Sequence, residues 1–210
     1  MASVVQSQRE EQANAITHGI GLILAIVGCF FLALTQEGSL RKWTAVGFGV
    51  GLIFVYLTST AFHLARKPRK KVRWRTFDHA AIYVLIAATY VAVTPIHPGG
   101  LAGWLLAGFV CLLAVFGAWQ KLRMTERIDE TGLLDLALYI AMGWSWLLLA
   151  WPIYQSLPTP AFVWLLVGGG CYTFGTIFFA IERIPFNHAI WHLFVLAGSA
   201  CHFIMVARYR

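Results

Sequence analysis

Two pairs of polar residues, each with a spacing of four, bring imidazole and hydroxyl groups onto helical faces. His188 and His192 lie four residues apart in the stretch FNHAIWHLFVLAG, and Ser59 and His63 have the same spacing in LTSTAFHLA. Residues four apart share one face of an α-helix. Three neutral imidazoles are a sufficient ligand set for catalytic zinc, whose fourth position stays open for water. The chemistry therefore depends on whether the fold brings these histidines together.

The composition decides what kind of fold that is. The chain has 210 residues, of which 59% are hydrophobic and only 12% are charged, whereas soluble domains carry about 25% charged residues. This composition indicates an integral membrane protein. The formal net charge of +7 then marks cytoplasmic loops rather than a surface for nucleic acid. The four cysteines form no CxxC pair and are interpreted as small apolar residues.

Stretches free of Asp, Glu, Lys and Arg locate the membrane spans, since a helix needs about 20 apolar residues to cross a bilayer. Turn-forming clusters, PIHPGG at 95–100 and WPIYQSLPTP at 151–160, divide the two longest stretches. The sequence therefore predicts an all-α bundle of seven transmembrane helices, forming a single domain over 1–210 with a short polar segment at 1–12. The five charge-free stretches are 12–36, 43–65, 79–120, 136–181 and 184–207.

The distribution of Lys and Arg predicts the orientation of the bundle. With the N-terminus in the cytoplasm, 12 of the 16 basic residues fall on the cytoplasmic side, seven of them in the predicted loop 64–76. We therefore expect a cytoplasmic N-terminus and an outside C-terminus, in a multi-pass protein of the bacterial cytoplasmic (inner) membrane. The basic loop also lies where anionic lipid headgroups would attract it.

On this map the chemically active residues share one depth. Ser59 and His63 end helix 2, Asp78 opens helix 3, and His188 and His192 open helix 7, all at the predicted cytoplasmic ends. Ionisable residues within a bilayer usually face the bundle interior or a water-filled cavity. The shared depth therefore predicts a metal site in which Asp78 orients a ligand, holds the bound water or accepts its proton. The Ser59 hydroxyl would hydrogen-bond that water or polarise a substrate carbonyl.

These motifs together resemble the haemolysin III family of bacterial membrane proteins. The resemblance rests on SxxxH at the end of helix 2, FDHAAIYVLIAATY in helix 3 and HAIWHLFVLAGSACHF in helix 7, with EQANAITHGIG and GGGCYTFGTIFFA in support. It covers about residues 11–205. The family is related to the progestin and adiponectin receptors and, more widely, to alkaline ceramidases, which are regarded as metal-dependent hydrolases in the membrane.

The resemblance implies specific roles for the five residues. His63, His188 and His192 would bind Zn²⁺, and Asp78 and Ser59 would lie beside the metal and its water as catalytic residues. It also implies a seven-helix fold with the N-terminus inside and a site near the cytoplasmic face. The resemblance does not assign an activity, but a role in lipid metabolism or membrane homeostasis fits an inner-membrane protein better than the lysis for which the family is named.

Several other polar residues have open roles. Glu11, Asn14 and His18 share one face at the start of helix 1, where they line the cavity or simply form a polar first turn. His79 and Asp135 are either supporting residues of the site or polar residues at helix ends. His97 falls in a predicted outside loop, and His202 is interpreted as a packing or interface histidine about 15 Å from His192.

Four functions are considered, with different expectations. The leading hypothesis is a zinc-dependent hydrolase of a lipid amide or ester, with membrane lipids as its partners. The second is a non-catalytic lipid sensor in which zinc ties helices together. The third is a proton or ion pathway, which would need ionisable residues along the whole membrane path. The family name suggests a fourth, a cytolysin, which would need an amphipathic or barrel-forming segment.

Overall fold

The computed structural model describes residues 6–94, 100–123, 133–181 and 183–209, and for 133–134 the backbone alone. Within these ranges the chain is entirely helical. Seven helical segments among the described residues are long and apolar enough to cross a membrane, which confirms the predicted number of spans. The helices are α1 (Gln8–Thr35), α2 (Ser39–Leu64), α3 (Pro68–Val93), α4 (Gly100–Arg123), α5 (Leu133–Trp144), α6 (Ala150–Ser156), α7 (Thr159–Ala180) and α8 (Asn187–Arg208).

The outer surface of the bundle is apolar, as expected of a protein solvated by lipid. Large side chains such as Phe30, Leu34 and Leu112 are more than two-thirds exposed. Inside the bundle, α1 packs against α2 and α8, α2 against α3, and α7 against α8. Glycines permit this close approach: a Cβ on Gly49 would lie 2.8 Å from Cys29 Sγ, and one on Gly51 would lie 2.9 Å from Ala88 Cβ. Small residues at such contacts are typical of membrane helices.

The first helix begins at Gln8, within the predicted polar segment 1–12. A capping box fixes this start: the Ser7 hydroxyl accepts from Glu10 N at 3.3 Å, and Ser7 N donates to Glu10 Oε2 at 2.8 Å. Such reciprocal bonds satisfy backbone donors that the first turn leaves unpaired. The polar residues ahead of the predicted span are therefore helical, and Glu11 stands on a rigid turn.

The predicted basic loop 64–76 is mostly helix, which corrects that boundary. Only residues 65–67 connect α2 to α3, and Pro68 occupies the first position of α3, where proline's missing N–H costs nothing. Charged residues are excluded from the bilayer core but not from a helix that extends beyond it, so charge gaps underestimate helix length. Asp78 consequently lies about 15 Å along α3 rather than in its first turn.

The fifth span is interrupted, and Tyr90 of α3 stabilises the interruption. Between α5 and α6 lies a 3₁₀ segment, Ser145–Leu149. The Tyr90 hydroxyl donates to Met142 O at 2.8 Å and accepts from Trp146 N at 2.8 Å and from Ser145 Oγ at 3.0 Å. Backbone groups freed by a broken helix need partners within the membrane. The turn predicted at 151–160 is confined to its second half, because residues up to Ser156 remain helical.

Replacing Tyr90 with Phe should therefore destabilise the bundle. The change leaves buried backbone groups of the broken span without a partner, and each such loss costs about 1–3 kcal/mol. We expect a lower melting temperature in detergent. Tyr154→Phe is the matched control, because that tyrosine is 49% exposed and its ring contacts survive the change. Equal melting temperatures for the two variants would contradict this role.

Candidate functional site

Three histidines meet at one end of the bundle, which we call the histidine end. His63 ends α2, and His188 and His192 occupy the first two turns of α8. One ring nitrogen from each lies within 4.8 Å of the other two. The ring centroids are 5.0 Å apart for His63 and His188, 5.2 Å for His63 and His192, and 4.5 Å for His188 and His192. The fold thus brings together the three residues that the sequence selected.

Glu11 of α1 fixes the ring of His63. Its Oε2 lies 2.8 Å from His63 Nδ1, and its Oε1 accepts from Lys71 Nζ at 2.6 Å. Because a carboxylate held by a lysine accepts hydrogen bonds, Nδ1 carries the proton and Nε2 carries the lone pair. His63 Nε2 is buried and has no hydrogen-bond partner among the described residues. A carboxylate behind a histidine is the arrangement that orients metal ligands in proteins.

His192 is fixed in the same way by a backbone carbonyl. Its Nδ1 lies 3.2 Å from Asn14 O and 3.1 Å from Thr17 Oγ1. A carbonyl oxygen only accepts, so Nδ1 donates and Nε2 again keeps its lone pair. The ring of His18 stacks on that of His192, with centroids 3.4 Å apart and planes 12° from parallel. The polar face of α1 therefore supports both histidines. Of its three residues only His18 lines the cavity, whereas Glu11 and Asn14 bond the histidines instead.

Asp78 and Ser59 line the same cavity as His188 and His192. Ser59 lies one helical turn before His63 and is 1% exposed. Its hydroxyl is close to the Asp78 carboxyl, yet it makes no hydrogen bond of standard geometry among the described residues. A buried hydroxyl without a partner is rare in proteins and typical of a place where a ligand or water binds. Four of the five residues predicted for the site thus line one cavity, and His63 adjoins it through its ring contacts with His188 and His192.

That space is a long cavity of about 170 Å³. Its lining on α3 runs from Asp78 to Thr94, a distance of about 24 Å at 1.5 Å per residue. Beyond the histidine end the walls are largely apolar, with members such as Leu85, Ile153 and Val195. The cavity is therefore polar at one end and apolar along most of its length. This polarity pattern suits a single long hydrocarbon chain.

The remaining polar residues divide between the site and the scaffold. His79 lines the cavity, and its carbonyl accepts from Tyr139 Oη at 3.0 Å. Asp135 pairs with Lys121 and so joins α5 to α4. His202 is buried and also lines the cavity, farther from the histidine end. His97 lies outside the described residues.

Two supporting residues were not predicted from the sequence. Lys71 belongs to the predicted basic loop, and in the structure it anchors Glu11. Thr17 is not among the residues predicted for the site, and its hydroxyl contacts His192. A usable signal existed for Thr17, which lies three residues after Asn14 and so on the same helical face. Lys71 gave none, because its partner lies 60 residues away along the chain.

Comparisons with known proteins agree with the relationship predicted from the sequence. Residues 6–203 match the family model described as "Haemolysin-III related". The chain is 40% identical to "Hemolysin-3" of Bacillus cereus, with 100% of this chain and 95% of that protein covered. It is 41% identical to "Hemolysin-3 homolog" of Bacillus subtilis, with 96% and 94% covered.

A more distant match extends beyond bacteria. The chain is 31% identical to human "Monocyte to macrophage differentiation factor", over 95% of this chain and 84% of that protein. No solved structure matches significantly. The human match agrees with the predicted link to the progestin and adiponectin receptor group. With seven membrane-spanning helices and a family match over nearly its whole length, this chain belongs to the haemolysin III family.

Proposed function

We propose that this protein is a zinc-dependent hydrolase of a lipid amide or ester in the bacterial cytoplasmic membrane, with a role in membrane lipid homeostasis. The observation that carries the proposal is the position of the three histidines. Their ligand atoms cluster at the polar end of a cavity that is apolar along most of its length. A long-chain lipid with a cleavable bond near its headgroup has the same polarity pattern.

The residues at the histidine end fit a metal ion. His63 and His192 each have a free lone pair on Nε2, because Nδ1 of His63 is hydrogen-bonded to Glu11 and Nδ1 of His192 to Asn14 O. The buried and unpaired Nε2 of His63 would cost about 1–3 kcal/mol without a partner. Three imidazoles with an open fourth position are a catalytic zinc set, and bound zinc would lower the pKa of its water to about 7 and polarise a carbonyl.

Asp78 and Ser59 have complementary roles in this proposal. The Asp78 carboxylate would accept a proton from the attacking water and return it to the leaving amine or alcohol, as a general base and then acid. The Ser59 hydroxyl, which lies beside the Asp78 carboxyl, would donate a hydrogen bond to the oxygen of the substrate carbonyl, where negative charge develops. The apolar walls would hold the acyl chain and keep bulk water out.

Release of fatty acid from candidate lipids tests the proposal directly. Purified protein with one equivalent of zinc is incubated with long-chain N-acyl amides and esters in detergent, and free fatty acid is measured by mass spectrometry. We expect turnover of long-chain substrates and little of their short-chain analogues, because the chain supplies binding energy of about 0.8 kcal/mol per buried CH₂. Absence of turnover in a panel of membrane lipid classes would count against the hydrolase.

The carboxylate behind His63 gives a second test that does not depend on activity. Glu11→Gln replaces the anionic acceptor with a neutral amide, and loss of such a partner typically lowers metal affinity 10–100-fold. Zinc affinity is measured by competition with a chelator. Glu10→Gln is the matched control: it lies one residue away and removes the same charge, yet it contacts Ser7 and Phe186 N rather than a histidine. Equal affinities in the two variants would contradict the supporting role of Glu11.

The alternative is a lipid sensor with structural zinc, which one observation favours. The three histidines come from two different helices, α2 and α8, and α1 supports both. A bound ion would therefore tie three helices together even without catalysis. In that case removing zinc lowers the melting temperature, and no lipid in the panel is cleaved.

A further inference from the structure

A second polar position lies in the cavity, far from the histidine end. His202 of α8 is ten residues beyond His192, which places it about 15 Å farther along the bundle. It is 7% exposed and lines the same cavity as His188 and His192. An apolar residue would fill this position without the cost of burying an imidazole.

In the part of the cavity away from the histidine end, His202 stands out because one of its ring nitrogens has no hydrogen-bond partner among the described residues. The hydroxyls of Thr89, Thr94 and Thr173 each bond a backbone carbonyl, and Trp144 Nε1 donates to Thr173 Oγ1 at 2.9 Å. His202 Nδ1, in contrast, is buried without a hydrogen-bond partner among the described residues. Since buried polar atoms are nearly always paired, such an atom calls for a ligand or a water.

The neighbouring helix leaves space specifically for this ring. A Cβ on Gly168 of α7 would lie 2.4 Å from His202 Cδ2 and 2.5 Å from its Nε2, so only glycine is tolerated there. The edge of the ring that carries Nδ1 therefore faces away from Gly168. Beside it lies Tyr172, whose ring centroid is 5.5 Å from that of His202 and whose hydroxyl lies 2.9 Å from Ser199 Oγ.

The remaining hydrogen bond of His202 fixes what Nδ1 can bind. Nε2 lies 3.4 Å from Leu165 O, and since a carbonyl oxygen only accepts, Nε2 carries the ring proton. Nδ1 is then an acceptor. The group that fits it is a hydrogen-bond donor without charge, such as a hydroxyl.

We propose that His202 is a subsite that binds a hydroxyl on the hydrocarbon chain of a lipid whose polar end lies at His63, His188 and His192. The proposal rests on the lipid hydrolase function above and adds a preference to it: the protein selects chains hydroxylated near their middle. An internal water at His202 is the competing explanation, which the test below separates.

Three fatty acids, the products that lipid hydrolysis would release, test the subsite. They are octadecanoic acid and its derivatives with a hydroxyl on the twelfth or on the third carbon. The twelfth carbon reaches about the depth of His202 when the carboxyl lies at the histidine end, whereas the third does not. Affinities are measured on zinc-loaded full-length protein in detergent, by displacement of radiolabelled octadecanoic acid. We expect the twelfth-carbon derivative to bind roughly tenfold more tightly than the third-carbon one, as one additional buried hydrogen bond would give.

Variants identify the residue responsible. His202→Leu should abolish this preference while leaving the affinity for octadecanoic acid unchanged. His202→Asn, whose side-chain oxygen takes the place of Nδ1, should retain it and guards against a folding defect in the first variant. Thr89→Val is the matched control, because its hydroxyl lines the same cavity but already bonds Leu85 O at 2.9 Å; there the preference should persist.

The outcomes separate the two proposals. Equal binding of the two hydroxylated acids by the wild type, or a preference that survives in His202→Leu, overturns the subsite and leaves a water at His202. If the protein also hydrolyses long-chain lipids in that case, the proposed function stands. If zinc-loaded protein binds none of the three acids, both proposals fail.

Discussion

Asp78→Asn is expected to lower lipid hydrolysis by about 10²–10⁴-fold, the usual contribution of a positioned general base, while the protein keeps its zinc. The amide is nearly the same size as the carboxyl and still fills its place on the cavity wall, but it cannot accept a proton. The expected loss is therefore in the chemical step, with the affinity for substrate little changed.

The measurement pairs initial rates of fatty acid release with zinc content by elemental analysis. Glu37→Gln makes the same carboxyl-to-amide change on an exposed residue at the opposite end of the bundle, and it should match the wild type. Ser59→Ala should give a smaller loss than Asp78→Asn, since it removes a hydrogen bond and not the base. A rate for Asp78→Asn within a factor of three of the wild type would exclude this carboxyl as the base.

The double variant His188→Ala/His192→Ala is expected to lose bound zinc altogether, from about one ion per chain to none. Removing two of three imidazoles leaves His63 as a single ligand, whereas a catalytic zinc site needs three protein ligands. Metal content is measured on protein purified in mild detergent without added metal. The melting temperature should fall as well, because ligands bound only to the folded state stabilise it.

A matched control removes an imidazole without touching the ligand set. His202→Asn lies about 15 Å from His192 along α8 and should retain its zinc. Zinc that persists in the double variant would show that the metal binds elsewhere. Zinc that is lost from it, together with an inactive wild type, would favour the lipid sensor over the hydrolase.

Much of the architecture was predictable from the sequence because charge is costly inside a bilayer. The charge-free stretches located seven spans, and all seven exist. The fixed rise of a helix then allowed depth to be deduced from sequence position. For this reason Ser59, His63, Asp78, His188 and His192 could be assigned to one level. The structure brings all but His63 to the wall of one cavity and clusters His63 with the other two histidines.

Helix ends beyond the bilayer were less predictable, for the same physical reason. Outside the hydrocarbon core charged residues are well solvated, so they no longer mark where a helix stops. The residues 68–76 were expected to be a loop and are the first turns of α3. The interrupted fifth span likewise depends on Tyr90, which lies 52 residues from the carbonyl of Met142 that it binds.

The order of residues along the chain was enough to assign each residue type to a depth in the membrane. Which of these residues touch depends on the fold, because contact between helices depends on how each helix is rotated and what it packs against. Glu11 reaches His63 across 52 residues of chain, and Asn14 reaches His192 across 178. The same packing places His202, interpreted from sequence as a packing or interface residue, on the wall of the cavity.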